Sequence, residues 1–211
     1  MTNAASASYA ESFVSEDTHP AAARSRAAEL GIEPVSTGAG AALRFICAAI
    51  DARAVVEVGT GTGVSGLWLM SGMRPDGVLT TVDTEIEHQR AAKQAFAEAG
   101  IATSRTRVIG GAARDVLPRL TDGAYDLVFI DAEAVDYLDL IDEALRLLRT
   151  GGVVIFNNAL YKDRVADPSA RDGESVALRD LGKAVRDRDD LVSIVLPVGE
   201  GLLTAIHRPV D

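Results

Sequence analysis

The segment Glu57-Val58-Gly59-Thr60-Gly61-Thr62-Gly63-Val64-Ser65-Gly66 concentrates the chemistry of this chain. Three glycines alternate directly after a β-branched run, so the backbone can turn tightly there and come close to a ligand. Gly61, Gly63 and Gly66 also fit the phosphate-binding frame G-x-G-x-x-G, a weak signal when it stands alone. Asp83 stands 20 residues beyond Gly63. A carboxylate at that distance, ending the next strand, is placed to take the hydroxyls of a ribose. Glu57 narrows the ligand further. A carboxylate under the turn repels a pyrophosphate and favours an ammonium or a sulfonium. Asp131, Asn157 and Asn158 follow two later apolar runs, where polar side chains serve either a ligand or simple turn chemistry.

These residues need a scaffold, and the apolar pattern supplies one. Residues 55–58, 78–82, 106–109, 125–130 and 153–156 read as short β-branched strands. Helical stretches separate them: 64–70, 85–99 stopped by Gly100, 112–120, and one marked by Leu138, Ile141, Leu145 and Leu148 and stopped by Gly151-Gly152. Leu178, Leu181 and Val185 mark a further helix. Residues 191–196 and 202–207 read as a closing hairpin across a turn of five residues. Ahead of the first strand, 21–30 reads as a helix closed by Gly31, and Thr37 as the cap of a helix to Ile50, with Pro34 in the break. The pattern predicts an α/β fold: a doubly wound, seven-stranded, mostly parallel sheet with a C-terminal antiparallel hairpin and N-terminal helices. In such sheets ligands bind beyond the carboxyl ends of the strands, where Glu57, Asp83, Asp131, Asn157 and Asn158 fall.

Composition excludes several classes. The chain has 211 residues, 47% of them apolar, enough for a core. Its net charge of −10 disfavours a nucleic-acid partner. A single cysteine rules out a disulfide scaffold. No apolar run approaches a membrane span, and the Ala/Ser-rich start lacks the features of a secretory signal, so the expected location is the cytoplasm.

The motifs together resemble the cation-dependent small-molecule O-methyltransferases of the catechol and caffeoyl-CoA type, and look closest to those of mycobacteria and related actinobacteria. The segments that carry the resemblance are the glycine turn from Glu57 to Ser65, Thr81-Val82-Asp83, Gly111-Ala112-Ala113, Asp126-Leu127-Val128-Phe129-Ile130-Asp131-Ala132, and Gly151-Gly152-Val153-Val154-Ile155-Phe156-Asn157-Asn158. It spans about Pro34 to His207. The resemblance implies a Rossmann-like methyltransferase fold, with residues 51–211 forming the cofactor domain and 1–50 a helical extension of it. It implies S-adenosylmethionine as cofactor, a small phenolic or catechol-like acceptor, and a homodimer.

Position by position, it puts Val35 near the cofactor. Glu57, Gly59, Thr60, Gly61 and Ser65 line the methionine moiety, Asp83 binds the ribose, and Ala112 meets the adenine. Asp131 lies at the methyl donor as the catalytic residue. It also implies a divalent cation, Mg²⁺ in type, on Asp131, Asn157 and Asn158. Here the chain departs from the family. The pattern is Asp, Asp and Asn, so Asn157 replaces a carboxylate, and the family's Lys falls on Ala134. Two other readings stay open: a cofactor-binding protein that has lost cation and base, and an NAD-dependent oxidoreductase.

Other residues read as structural. Leu43, Ile46, Cys47 and Ile50 share a helix face, so Cys47 is expected in the core. Trp68 and Met70 are expected to pack. His19, His88 and His207 are read as non-catalytic, with no other candidate ligand near them. Lys162 is read as a surface residue, and 164–174 as a solvated polar loop.

Overall fold

The computed structural model describes residues 4–208. Seven strands form one sheet in the order β3-β2-β1-β4-β5-β7-β6. These are β1 (Ala54–Val58), β2 (Val78–Asp83), β3 (Thr106–Gly110), β4 (Tyr125–Ile130), β5 (Leu148–Phe156), β6 (Leu191–Leu196) and β7 (Leu202–His207). The first five run parallel; β7 is antiparallel to both β5 and β6. The strand order reverses between β1 and β4, which opens a crevice above their carboxyl ends.

Helices cover both faces. On one side α2 (Thr18–Glu29), α3 (Thr37–Ala49), α4 (Val64–Gly72) and α5 (Ile86–Glu98) pack over Val55, Leu79, Leu127, Phe129, Val153 and Ile155. On the other, α7 (Tyr137–Leu147) and α8 (Gly173–Arg186) pack over Val56, Val58, Val128, Ile130, Val154 and Phe156. The alternation of the strands thus assigns each side chain a face. Glu57, Thr81, Asp83, Asp131 and Asn157 continue the row of the first set and all point to the α4 side. The short α6 (Ala113–Val116) gives way at Pro118 to a 3₁₀ turn, Leu117–Arg119, so the expected stretch 112–120 is two pieces.

Cys47 is fully buried, and burial pushes its thiol up to about 12. Trp68 and Met70 are also in the core. Three local expectations are corrected. The cap of α3 is Ser36, whose hydroxyl accepts from Ala39 N at 3.1 Å; Thr37 is the first helical residue. The glycine pair does not stop α7. That helix ends at Leu147, and β5 starts at once, with Gly151 at φ +78° where the register with β4 slips. Such a bulge accommodates the left-handed glycine inside a strand. An additional helix, α1 (Ala4–Ser12), lies ahead of α2. It is anchored through Glu11, whose carboxylate accepts from the backbone amides of Gly38 and Gly199.

Candidate functional site

The turn after β1 is shaped by a close approach. Gly59 (φ +92°) lies so near the Asp131 carbonyl that any Cβ there would collide with it. Its own N–H donates to Val82 O at 2.9 Å, while Asp131 N donates to Val58 O at 2.8 Å. These bonds extend the sheet's ladder one residue beyond the strands and line up Gly59 and Asp131 side by side. Gly63 (φ +88°) then starts α4.

Above this row lies a cleft of about 540 Å³. Val35, Gly59, Thr60, Gly61, Ser65, Asp83, Ala112 and Asp131 all line it. Glu57 is not on its wall but beneath the turn, with no exposed surface. Asn157 and Asn158 also lie off the lining, although Asn157 N continues the ladder by donating to Ile130 O at 2.9 Å.

Asp83 is held by the main chain. Its Oδ2 accepts from Gly61 N at 2.9 Å, and its Oδ1 from Glu85 N at 2.8 Å. The carboxylate that ends β2 therefore also fixes the glycine turn that ends β1. Each oxygen keeps lone pairs for a ligand.

Glu57 is the most unusual group. Its Oε2 accepts from the Thr81 hydroxyl at 2.6 Å, while Oε1 is buried beside the Ser65 hydroxyl without a hydrogen bond of good geometry. Burial pushes the carboxyl up to about 7, against the opposing effects of Ser65 and Thr81; the charges of Asp131 and Asp83 add to the rise. A buried carboxylate beneath a cleft suits a ligand that brings a positive charge.

Asp131 is pushed up to about 6 by burial, with Asn157 opposing the shift. Asn158 stands in the left-handed region (φ +61°), which asparagine tolerates, and its Nδ2 donates to Asp131 Oδ1 at 3.4 Å. The three residues expected to hold a cation therefore do gather at one point. They bring one carboxylate and two neutral amides. Among the described residues, no cluster of three or more His, Cys, Asp or Glu side chains is arranged to hold a metal ion. Lys162 is exposed, with its backbone N–H donating to Glu200, and is not on the cleft wall. The expected loop 164–174 ends at Asp172, which caps α8 by accepting from Ser175 N at 2.9 Å and pairs with Arg164 at 2.6 Å; residues 173 and 174 already belong to the helix.

One part of the expectation for His88 needs correction, namely that no other candidate ligand lies near it. It lies on the cleft wall, with Nδ1 3.3 Å from Asp83. The helix periodicity placed it on a polar face but could not show that α5 leans toward the turn. Sequence reasoning also missed Tyr137. Its ring is fully buried against Phe156, centroids 5.4 Å apart, beside Asn158 and Asp131, and its hydroxyl has no partner of good geometry. Thr81 was legible only as part of a motif, and Asp136, Asp139 and Leu140 joined the wall through α7, which no spacing in the glycine turn reports.

Comparison with known proteins agrees with this geometry. A family model described as O-methyltransferase matches residues 5–208. A Mycobacteroides abscessus protein that carries a provisional O-methyltransferase name is 52% identical over 94% of this chain and 92% of its own length. Among solved structures, a Corynebacterium glutamicum protein superposes with a TM-score of 0.88 at 32% identity, covering 97% of this chain and 96% of that one. The O-methyltransferase TomG of Streptomyces achromogenes, involved in tomaymycin synthesis and solved in complex with SAM, gives a TM-score of 0.85 at 28% identity, over 98% of this chain and 97% of its own. This chain belongs to the O-methyltransferase family, the class I enzymes that work with S-adenosylmethionine.

Proposed function

We propose that this protein transfers the methyl group of S-adenosylmethionine to a hydroxyl of a small phenolic or catechol-like acceptor, without a resident divalent cation. The observation that carries the cofactor reading is the buried, unpartnered Oε1 of Glu57 beside a turn pinned by Asp83. The buried carboxylate beneath the turn attracts the positive charges of an ammonium and a sulfonium in the cleft above it and repels the pyrophosphate of NAD. In this reading Glu57, Gly59, Thr60, Gly61 and Ser65 receive the methionine end, Asp83 the ribose, Ala112 the adenine, and Val35 the wall opposite. The segment 1–50 belongs to the same functional unit, because Ile32, Glu33, Pro34 and Val35 close one side of the cleft. The working assembly is a homodimer.

The residues at the strand ends do not fit a resident Mg²⁺. Two positive charges would face one carboxylate, Asp131, the fewest that Mg²⁺ sites use, and the amide N–H groups of Asn157 and Asn158 are turned to that carboxylate as donors rather than joining it as ligands. The chemistry is therefore assigned to alignment and proton removal. The acceptor oxygen attacks the methyl carbon in line with the sulfonium, the sulfur–methyl bond breaks, and the sulfur leaves as a neutral thioether. The hydroxyl proton passes to the Asp131 carboxylate. Burial makes Asp131 a stronger base than a surface aspartate. Holding the two reactants in line supplies most of the acceleration.

The test is transfer of labelled methyl from S-adenosylmethionine to a panel of catechols and phenols, with a chelator or with Mg²⁺. Methylation in the chelator supports the reading. Methylation only with Mg²⁺ contradicts the cation-free part. No methylation of any acceptor under either condition, with cofactor bound, favours the second reading, a cofactor-binding protein without turnover. Ala134 in place of lysine and the amide at Asn157 are the observations behind that reading.

A further inference from the structure

Two buried threonines connect Glu57 to the cleft, and counting protons fixes the direction of their hydrogen bonds. Glu57 and Thr81 are register partners on β1 and β2 and share the α4 face. The Thr81 hydroxyl donates to Glu57 Oε2 at 2.6 Å. Thr81 Oγ1 and Thr60 Oγ1 are 2.7 Å apart, and either oxygen can donate on distance alone. A hydroxyl has one proton. With Glu57 ionised, that of Thr81 is committed to the carboxylate, so Thr60 donates to Thr81. The remaining lone pair of Thr60 is then free, and Thr60 lines the cleft. Thr81 has no exposed surface and is not on the cleft wall, so it touches no ligand itself.

We infer that Thr81 is a positioning residue for the amino-acid end of the cofactor: it orients the Thr60 hydroxyl so that the cleft floor accepts a hydrogen bond from the ligand's ammonium group. This rests on the reading of the cleft as the S-adenosylmethionine site. The relay carries the influence of Glu57, which is as buried as Thr81 and also off the cleft wall, to a point on the cleft floor: the oriented Thr60 oxygen is the acceptor that faces the ligand. Without Thr81 the Thr60 proton is released to rotate, and the floor can present a donor, which repels an ammonium.

The experiment compares two ligands by calorimetry. S-adenosylhomocysteine has the amino-acid end; 5′-methylthioadenosine has the same adenosine and sulfur but lacks that end. Thr81→Val keeps the shape and removes both hydrogen bonds; Thr81→Ser keeps the hydroxyl. The expected result is about a tenfold loss of S-adenosylhomocysteine affinity in Thr81→Val, the worth of one charge-assisted hydrogen bond. Methylthioadenosine should bind parent and Thr81→Val alike, and Thr81→Ser should restore S-adenosylhomocysteine. Equal losses for both ligands would make Thr81 a structural residue only and overturn the proposal, as would no loss for either. If the parent binds neither ligand, it is the cofactor reading itself that fails. Should Thr81→Val not fold, Thr60→Val provides the same comparison from the other end of the relay, and an equal effect on both ligands there overturns the proposal too.

Discussion

The two halves of the strand-end edge are built differently. Around β1 and β2 the cleft is set by the main chain. Gly59 fits only because it lacks a Cβ, and Asp83 is held by two backbone amides. Around β4 and β5 the edge carries a side-chain cluster: Asp131 on the cleft wall, with two asparagines and a buried tyrosine hydroxyl behind it. Backbone-built recognition is hard to alter without losing the turn. A side-chain cluster can change without disturbing the fold, and Asn157 and Ala134 stand where the family resemblance leads one to expect a carboxylate and a lysine. The difference teaches that cofactor binding and the means of activating the acceptor can be separated within one site.

Replacing Asp83 with alanine should have the largest effect. It removes the expected ribose contact and unpins Gly61 together. Loss of hydrogen bonds to a charged group, at about 1.5–3 kcal/mol each, predicts a fall of about a hundredfold or more in S-adenosylhomocysteine affinity. Calorimetry reads it, and a change under fivefold would break the claim that the first half is organised around this carboxylate.

Glu57 sharpens the comparison through pH. Its folded pKa, about 7, lies above the ordinary 4.5. The folded state therefore holds the proton more tightly, and the associated stability is present below about pH 4.5 and lost as pH rises through 7. For a shift of this size the loss is on the order of 3 kcal/mol, most of it between about pH 4.5 and pH 7. Asp131 acts with the same sign, but its part is complete by about 6. The thermal unfolding temperature of the ligand-free protein should thus fall from about pH 5 to about pH 7, and Glu57→Gln should flatten the part of that slope above pH 6, where Asp131 no longer contributes. Binding of S-adenosylhomocysteine should do the reverse and strengthen across the same interval, because the ionised carboxylate attracts an ammonium and the neutral acid does not. A ligand affinity that weakens with pH would remove Glu57 from the site.

Tyr137→Phe should have the smallest effect on stability. The hydroxyl is buried and unpartnered, so its loss should leave unfolding by denaturant unchanged or raise stability by about 1 kcal/mol. Destabilisation beyond about 1 kcal/mol would show that the hydroxyl makes a bond important to the fold.

How much of this was legible in the sequence follows the same division. The strands, their mostly parallel pairing and the closing hairpin could be read because buried strands are continuous apolar runs that glycines and polar residues interrupt. Glu57, Asp83 and the glycine turn could be read because their spacing is a local property of one β-turn-α-β unit. The Gly151-Gly152 pair misled, because a glycine pair marks a left-handed backbone position whether it ends a helix or bulges a strand. Ser36 and Thr37 are both competent caps, and which one is used depends on where α3 meets the sheet. Tyr137, His88 and Thr81 were not legible as site residues. Their places depend on how α5, α7 and β2 pack across the cleft, and no spacing along the chain encodes that.

The contrast between the two halves can be measured directly by calorimetry on the parent protein, with S-adenosylhomocysteine injected in the presence of a chelator, followed by Mg²⁺ injected into the chelator-free complex. The account predicts saturable binding of S-adenosylhomocysteine without any cation, and no saturable heat from Mg²⁺ at millimolar concentration, whereas Asn157→Asp, which restores the second carboxylate, gains a Mg²⁺ isotherm. A parent protein that binds Mg²⁺ as tightly as Asn157→Asp, or that takes S-adenosylhomocysteine only when Mg²⁺ is present, would contradict it.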